Sequence, residues 1–334
     1  MNSPNNIIQS VKIIGTGSYT PIRVVKNKEL EDKVKTTDAW IFNNLGIRER
    51  HIASNNEFTS DLAAEAAKRA LKSASLQPKD IDLIIVATAT PDRLAPSTAC
   101  IVQEKIGAFN SAAFDIAAVC SGFLYALATG SQFITSRMYE NVLVIGADTF
   151  SKITNWDDRS CVFFGDGAGA IILTYTETGK GLLAVDLYAN GKGKSNFTIP
   201  AGGSEMPATF ETVDKGLHFF EMNGKAVFET ATEVLPQAIN SILKKCNMTV
   251  EDIDFLIPHQ PSIKILQKTA QILGLPFEKV LTNMDKYANT SAGTIAILLD
   301  EVNRDGKLKD GMNLIFAAVG AGWTWGAAVF KWQS

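Results

Sequence analysis

Histidine, paired cysteine and long apolar stretches are what this sequence has least of, and each shortage removes a class of function. Only three histidines occur, His51, His218 and His259, too far apart in sequence to make a local metal-ligand pair. The four cysteines, Cys100, Cys120, Cys161 and Cys246, show no Cys-x-x-Cys spacing, which argues against a zinc site and against a disulfide framework. No metal is expected, and each cysteine has to be judged alone. No apolar run reaches the ~18 residues that a membrane helix requires. Charge of one sign is missing too: 32 Lys and Arg stand against 35 Asp and Glu, and a formal net charge of −3 gives no broad attraction to nucleic acid or an anionic membrane. The polar, asparagine-rich residues 1–9 have neither the basic start nor the apolar stretch of a signal peptide, so a cytoplasmic protein is expected.

What is present begins with length. At 334 residues the chain exceeds what one hydrophobic core usually serves, while 46 % hydrophobic and 20 % charged residues are ordinary for a globular protein. Two halves are therefore expected, and an internal repeat supplies them. The stretch from Ala70-Leu71-Lys72 to Asp80-Ile81-Asp82-Leu83-Ile84 reads like that from Ile242-Leu243-Lys244 to Asp252-Ile253-Asp254-Phe255-Leu256, at a constant offset of 172 residues. In both copies an amphipathic helix runs through a polar turn into a short apolar strand. Downstream, Ile106-Gly107 is echoed by Leu273-Gly274, and the apolar strand Val142-Leu143-Val144-Ile145 by Leu314-Ile315-Phe316-Ala317. Strands alternating with helices make this an α/β protein of two related halves, residues 1–174 and 175–334, with a seam between them where a site can form. Residues 175–224, rich in Gly, Asn, Thr and Ser, read as an inserted loop region without a counterpart in the first half.

In the first half a buried strand ending at Val119 leads into the apolar helix that follows Cys120, which places this thiol at the turn. There the helix dipole is expected to lower its pKa and favour the attacking thiolate. A lone cysteine in an apolar run is usually inert packing. What distinguishes Cys120 is the repeat, because Asn289 stands 169 residues later at the matching strand-to-helix turn of the second half. His259, flanked by Pro258 and Pro261, ends the strand beginning near Phe255 and abuts the same seam. Cysteine with histidine can be a protease-like pair. Cysteine, histidine and asparagine together also suit a different task, in which the thiol carries an acyl group while two neutral N–H donors hold an enolate oxygen.

With these residues in view, the chain resembles the β-ketoacyl-acyl-carrier-protein synthase III family of the thiolase-fold superfamily over nearly its whole length. The segments that carry the resemblance include Gly46-Ile47-Arg48-Glu49-Arg50, Asp115 to Phe123 around Cys120, Phe164-Gly165-Asp166-Gly167-Ala168-Gly169, Met222-Asn223-Gly224, Pro258-His259-Gln260, Asn289-Thr290-Ser291-Ala292 and Trp323-Thr324-Trp325-Gly326. The resemblance implies a thiolase-like core of five layers, αβαβα, and a homodimer. It also implies a decarboxylative Claisen condensation of acyl-CoA with malonyl-acyl carrier protein that starts fatty-acid synthesis. Coenzyme A enters as part of a substrate, and no resident cofactor is implied. Cys120, His259 and Asn289 are the implied catalytic residues. The backbone N–H groups of Cys120 and of the Ala321-Gly322 turn would hold the acyl oxyanion, while Trp40, Arg159, Gly224, Phe228 and Lys264 would line the way in, Trp40 offering a face to adenine.

Several positions depart from the family pattern. Asn44 stands where fatty-acid members usually carry an arginine, Lys264 keeps the charge of a following arginine without its fork, and Ala321 replaces a glycine. Ala95 stands where many relatives have a larger residue that reaches across the dimer into the partner's acyl pocket, so a roomier acyl site is expected. A relative working in secondary metabolism, with another donor or acceptor, stays open as the second reading.

Overall fold

The computed structural model describes residues 11–177 and 179–333; the asparagine-rich start read above as lacking a signal peptide lies outside them. Two mixed sheets occupy the centre. In the first, β1 (Val11–Tyr19), β2 (Leu83–Ala87), β3 (Ala112–Ile116), β4 (Asn141–Asp148) and β5 (Gly167–Tyr175) lie in the order β1-β5-β4-β2-β3. In the second, β6 (Gly181–Ala189), β7 (Phe255–Pro258), β8 (Asn313–Gly320) and β9 (Thr324–Lys331) lie in the order β7-β8-β9-β6. β2 with β4 and β7 with β8 run parallel, whereas β4-β5-β1 and β8-β9-β6 run antiparallel. The repeat in the sequence is therefore a repeat of sheet plan. Only at one edge do the copies differ: β3 pairs with β2 along its length, but a single parallel bridge, Leu256 to Val280, stands at the equivalent place beside β7.

Seven helices complete five layers. Helices α2 (Thr59–Ala74) and α3 (Thr98–Ile106) cover the outer face of the first sheet, and α5 (Gly224–Lys245) and α6 (Ile263–Leu273) that of the second, with α1 (Asp38–Leu45) beside α6. Between the sheets lie α4 (Gly122–Thr135) and α7 (Thr294–Arg304). Position explains composition. The outer helices need one apolar face, whereas α4 meets a sheet on either side, and its Phe123, Leu124, Ala126 and Leu127 are all fully buried. Likewise Leu83 to Ala87 are buried without alternation, because helices cover both faces of β2.

The reading of residues 175–224 as inserted loop needs correction. They contain β6, whose edge pairing with β9 matches that of β1 with β5, so this stretch does have a counterpart in the first half. Gly181 opens the strand and Asn190 follows it, and the loop-like composition around it hid the apolar Leu182, Leu183, Val185 and Leu187. Beyond it, the short strands Phe197–Thr198 and Glu221–Met222 pair and enclose a one-turn helix, Phe210–Asp214.

The halves meet where β4 touches the turn that precedes α7. A Cβ added at Gly146 would land on the carbonyl oxygen of Ala292, so the two backbones pass with no room for a side chain. Among the described residues no helix is long and apolar enough to cross a membrane, and no group of three His, Cys, Asp or Glu side chains could hold a metal ion. Gly146→Ala is expected to destabilise the protein by about 2–3 kcal/mol through overpacking, read as a fall in the denaturant midpoint at unchanged m-value. A midpoint equal to wild type would mean that the seam can open without cost.

Candidate active site

Both middle-layer helices start at the seam, and the residues singled out from the sequence lie at those starts. After β3 the chain makes a tight 3-10 turn, Val119–Ser121, that carries Cys120 into α4. In the second half Asn289 precedes the 3-10 turn Ser291–Gly293, which leads into α7. The residues just before them share an uncommon backbone: Val119 has φ 46° and Ala288 φ 56°. Left-handed φ costs a non-glycine residue of order 1–3 kcal/mol, most for a β-branched one such as valine. The strain aims both following side chains into one cleft.

That cleft is a cavity of about 300 Å³, and Cys120, His259 and Asn289 all line it. Their exposures of 8 %, 2 % and 6 % put them at its inner end. Asn289 is locked on both sides. Its backbone N–H donates to Phe163 O at 3.2 Å and its carbonyl accepts from Gly165 N at 3.1 Å, so the first half grips it. Its Oδ1 accepts the Ser291 N–H at 2.8 Å, which assigns the amide orientation and leaves Nδ2 as the donor available to the cavity. His259 follows β7 directly, its N–H donating to Ala317 O at 2.8 Å. Its Nδ1 is buried and has no hydrogen-bond partner among the described residues.

Burial dominates the electrostatics. It pushes the His259 imidazole down to about 3, so the ring is neutral at ordinary pH. It pushes the Cys120 thiol up to about 12, with the Ser291 hydroxyl acting in the opposite direction and Asp148 adding to the rise. The expectation of a lowered thiol pKa is thereby reversed for the free protein, with desolvation as the largest cause.

The turn between β8 and β9 closes the inner end. A Cβ at Gly320 would sit 3.0 Å from Cys120 N and 2.8 Å from Ala118 O, so only glycine lets this turn lie against the nucleophile's backbone. Thr324 Oγ1 holds it there, donating to Ala118 O at 3.1 Å and accepting from Ser121 Oγ at 2.7 Å. Ala321 lines the cavity and is not among the residues with positive φ, so the exchange of glycine for alanine is accommodated. Gly322, with φ 136°, lies outside the lining.

At the mouth, Trp40, Asn44, Gly224, Phe228, Pro261, Ser262 and Lys264 line the opening, and Lys264 Nζ donates to Asn44 Oδ1 at 2.6 Å. Arg159 does not line it. Its guanidinium lies 3.9 Å from the centroid of the Trp40 ring, on a face that was expected to be free for a nucleotide. Ala95 is exposed and does not line this chain's own cavity, as suits a position whose reach was expected to be across a dimer. Beside Cys120 the cavity is lined by Phe164 and Phe197, which pack with Phe150 and Phe220. Phe150 stacks on Phe164 at 4.4 Å, Phe164 meets Phe220 edge-on at 5.0 Å, and Phe197 stacks on Phe220 at 5.5 Å. Behind this wall Ala89, Ile153 and Ile199 line a second cavity of about 550 Å³. Scattered from position 150 to 220, these rings left no periodic signal, and neither did Asp148, buried beneath the seam.

Comparison with known proteins agrees with this geometry. Residues 114–191 match the family model described as 3-Oxoacyl-[acyl-carrier-protein (ACP)] synthase III, and residues 243–332 match the model of its C-terminal part. The chain is 52 % identical over 322 residues to the β-ketoacyl-[acyl-carrier-protein] synthase III of Caldanaerobacter subterraneus, covering 96 % of this chain and 97 % of that one. The chain belongs to the β-ketoacyl-acyl-carrier-protein synthase III family. A Desulfitobacterium hafniense synthase III is 47 % identical, covering 97 % of this chain and 98 % of its own. The crystal structure of the Aquifex aeolicus synthase III superposes with a TM-score of 0.89 at 41 % identity, covering 96 % of this chain and 100 % of that one. As a synthase III the protein is an acyltransferase with the thiolase fold, of the kind that carries out the initiating condensation of fatty-acid synthesis.

The neutral His259 has a consequence for stability. Its folded pKa of about 3 lies below the usual histidine value of about 6.5 in an unfolded chain, so between those limits the unfolded state binds the extra proton. Stability is therefore full above pH ~6.5 and is lost as pH falls toward 3. Thermal melts between pH 8 and 4.5 are expected to show that loss, with a shallower slope in His259→Gln. Parallel slopes in the two proteins would mean that the imidazole is not held neutral by burial.

Proposed function

We propose that Cys120 accepts an acyl group from acyl-CoA and that His259 and Asn289 then drive decarboxylation of malonyl-acyl carrier protein, whose carbanion attacks the acyl-cysteine. The observation that carries this reading is the meeting of a thiol, a neutral imidazole and an oriented carboxamide N–H in one buried cavity. In the first step the Cys120 sulfur bonds to the acyl carbon, the bond to the CoA sulfur breaks, and the thiol proton ends on that departing sulfur. The acyl oxyanion is received by the Cys120 N–H and an N–H of the turn at Ala321 and Gly322, each such donor being worth about 3 kcal/mol. In the second step carbon dioxide leaves. The enolate oxygen takes hydrogen bonds from His259 and Asn289, and the new carbon–carbon bond expels the cysteine sulfur. A neutral imidazole suits this task because it donates without bringing in a charge that burial would oppose.

Trp40, Gly224 and Phe228 form the entry for the pantetheine arm, with Lys264 at its rim offering a cation to phosphate or to an acidic carrier. Arg159 rests over Trp40 outside the entry and would have to yield the ring to a nucleotide. The reaction needs no resident cofactor. The phenylalanine wall favours a short acyl group, since a longer chain would have to displace stacked rings. We take the working form to be a cytoplasmic homodimer; Leu94 and Phe210, 88 % and 99 % exposed, are apolar surface that a second copy could cover.

Intact-mass measurement after incubation with acetyl-CoA is expected to find an acetyl group on the wild type and none on Cys120→Ala. His259→Ala and Asn289→Ala should keep acylation while losing malonyl decarboxylation by roughly a hundredfold or more. Acylation of Cys120→Ala at the wild-type rate would end the reading. For chain length, acetyl is expected to load at least roughly tenfold faster than octanoyl, and Phe197→Ala to narrow the gap. Equal loading by the wild type would mean that the stack does not limit the acyl group.

A further inference from the structure

The triad leaves one requirement unmet. His259 and Asn289 serve the incoming malonyl group, yet the Cys120 sulfur must bear negative charge twice, when it attacks and again when it is expelled. Among the described residues its one side-chain hydrogen-bond partner is Ser291 Oγ, 3.5 Å away. Ser291 is 1 % exposed and has φ 50°, a conformation that a serine keeps only under constraint.

The constraint can be traced. The Ser291 N–H donates to Asn289 Oδ1 at 2.8 Å, so the same turn that orients the carboxamide also orients the hydroxyl. The next N–H, that of Ala292, donates to Asp148 Oδ2 at 3.0 Å, across the seam. Asp148 is fully buried and well supplied with other donors. Its Oδ1 accepts from Ala89 N at 2.8 Å, Thr90 N at 3.1 Å, Thr90 Oγ1 at 2.8 Å and Thr88 Oγ1 at 3.1 Å. Oδ2 has only the Ala292 donor, and the Ser291 hydroxyl lies within its reach as well as that of the sulfur, so the hydroxyl can turn to the sulfur when the sulfur carries charge while four donors still hold Oδ1. Burial pushes the Asp148 carboxyl up against these donors, and where it is ionised it opposes a second negative charge nearby, which makes a donor at sulfur more necessary.

We infer that Ser291 is a further catalytic residue, whose hydroxyl donates to the Cys120 sulfur and stabilises it as the thiolate in both steps. The inference rests on the reading of Cys120 as the nucleophile. The serine proton stays on its own oxygen throughout. In acylation the thiol proton leaves with the CoA sulfur. In condensation the sulfur is expelled as thiolate, received by the same hydroxyl, and protonated from solvent, which is the one proton the overall decarboxylative reaction consumes. His259, kept neutral, and Asp148, fixed in place, are the other titratable groups around the sulfur.

The test is the rate of iodoacetamide modification of Cys120 from pH 7 to 10, followed by intact mass, in wild type, Ser291→Ala and Ser291→Gly, with Cys120→Ala as the blank. Glycine adopts φ near 50° freely, so a loss shared by both variants belongs to the hydroxyl and not to a distorted turn. Both are expected to react about tenfold more slowly at each pH, their profiles displaced upward by about one pH unit, the size of a hydrogen bond to a charged group. Acetyl loading should fall by a similar factor in its maximal rate with KM for acetyl-CoA unchanged. Superimposable alkylation profiles in all three proteins would overturn the assignment. The outcome is separable from the condensing reading: alkylation needs no thioester, so wild-type Cys120 that never takes up acetyl would refute that reading while a displaced profile still upheld Ser291.

Discussion

Each of two strand-to-helix turns is pressed backbone against backbone by a strand of the opposite half, and the reactive geometry is fixed by how closely it lies there. Gly146 lies on the carbonyl of Ala292, and Gly320 on the N–H of Cys120. Neither contact leaves space for a methyl group. Because each turn opens one of the two helices sandwiched between the sheets, the thiol of one half and the carboxamide of the other are held by elements buried on every side. Precision of this kind comes from rigid scaffold and not from loops.

The same closeness sets up a tension between packing and reactivity. A site this dry makes a thiol reluctant to ionise and an imidazole unable to. Dryness also strengthens every dipole aimed at a developing charge, which is the larger effect once substrate is bound. Strain is spent in the same place: Val119, Ala288 and Ser291 all hold a backbone conformation that their side chains disfavour, and all three flank atoms that would touch the reacting groups.

Much of this was legible in the sequence because it is periodic or repeated. Leu71 with Leu243 and Asp82 with Asp254 revealed the duplication, and the duplication pointed Cys120 and Asn289 at a common cleft. What escaped depends on distance in space. Whether a helix start lowers a thiol pKa is decided by how much water is removed, which no motif records. The strand Gly181–Ala189 was masked by the polar turns beside it. Four phenylalanines far apart in sequence became a wall only on folding, and Arg159, read as lining the tunnel, covers the Trp40 ring instead.

That last contact bears on turnover. With the guanidinium already resting on one face of the indole, an arriving purine finds that face taken. It exchanges one π-contact for another of comparable worth, about 0.5–1 kcal/mol at an exposed site. Nucleotide recognition would then add little net affinity, and the spent coenzyme would depart readily. With two thioesters sharing one doorway, as proposed, a loosely held first visitor keeps the door from jamming.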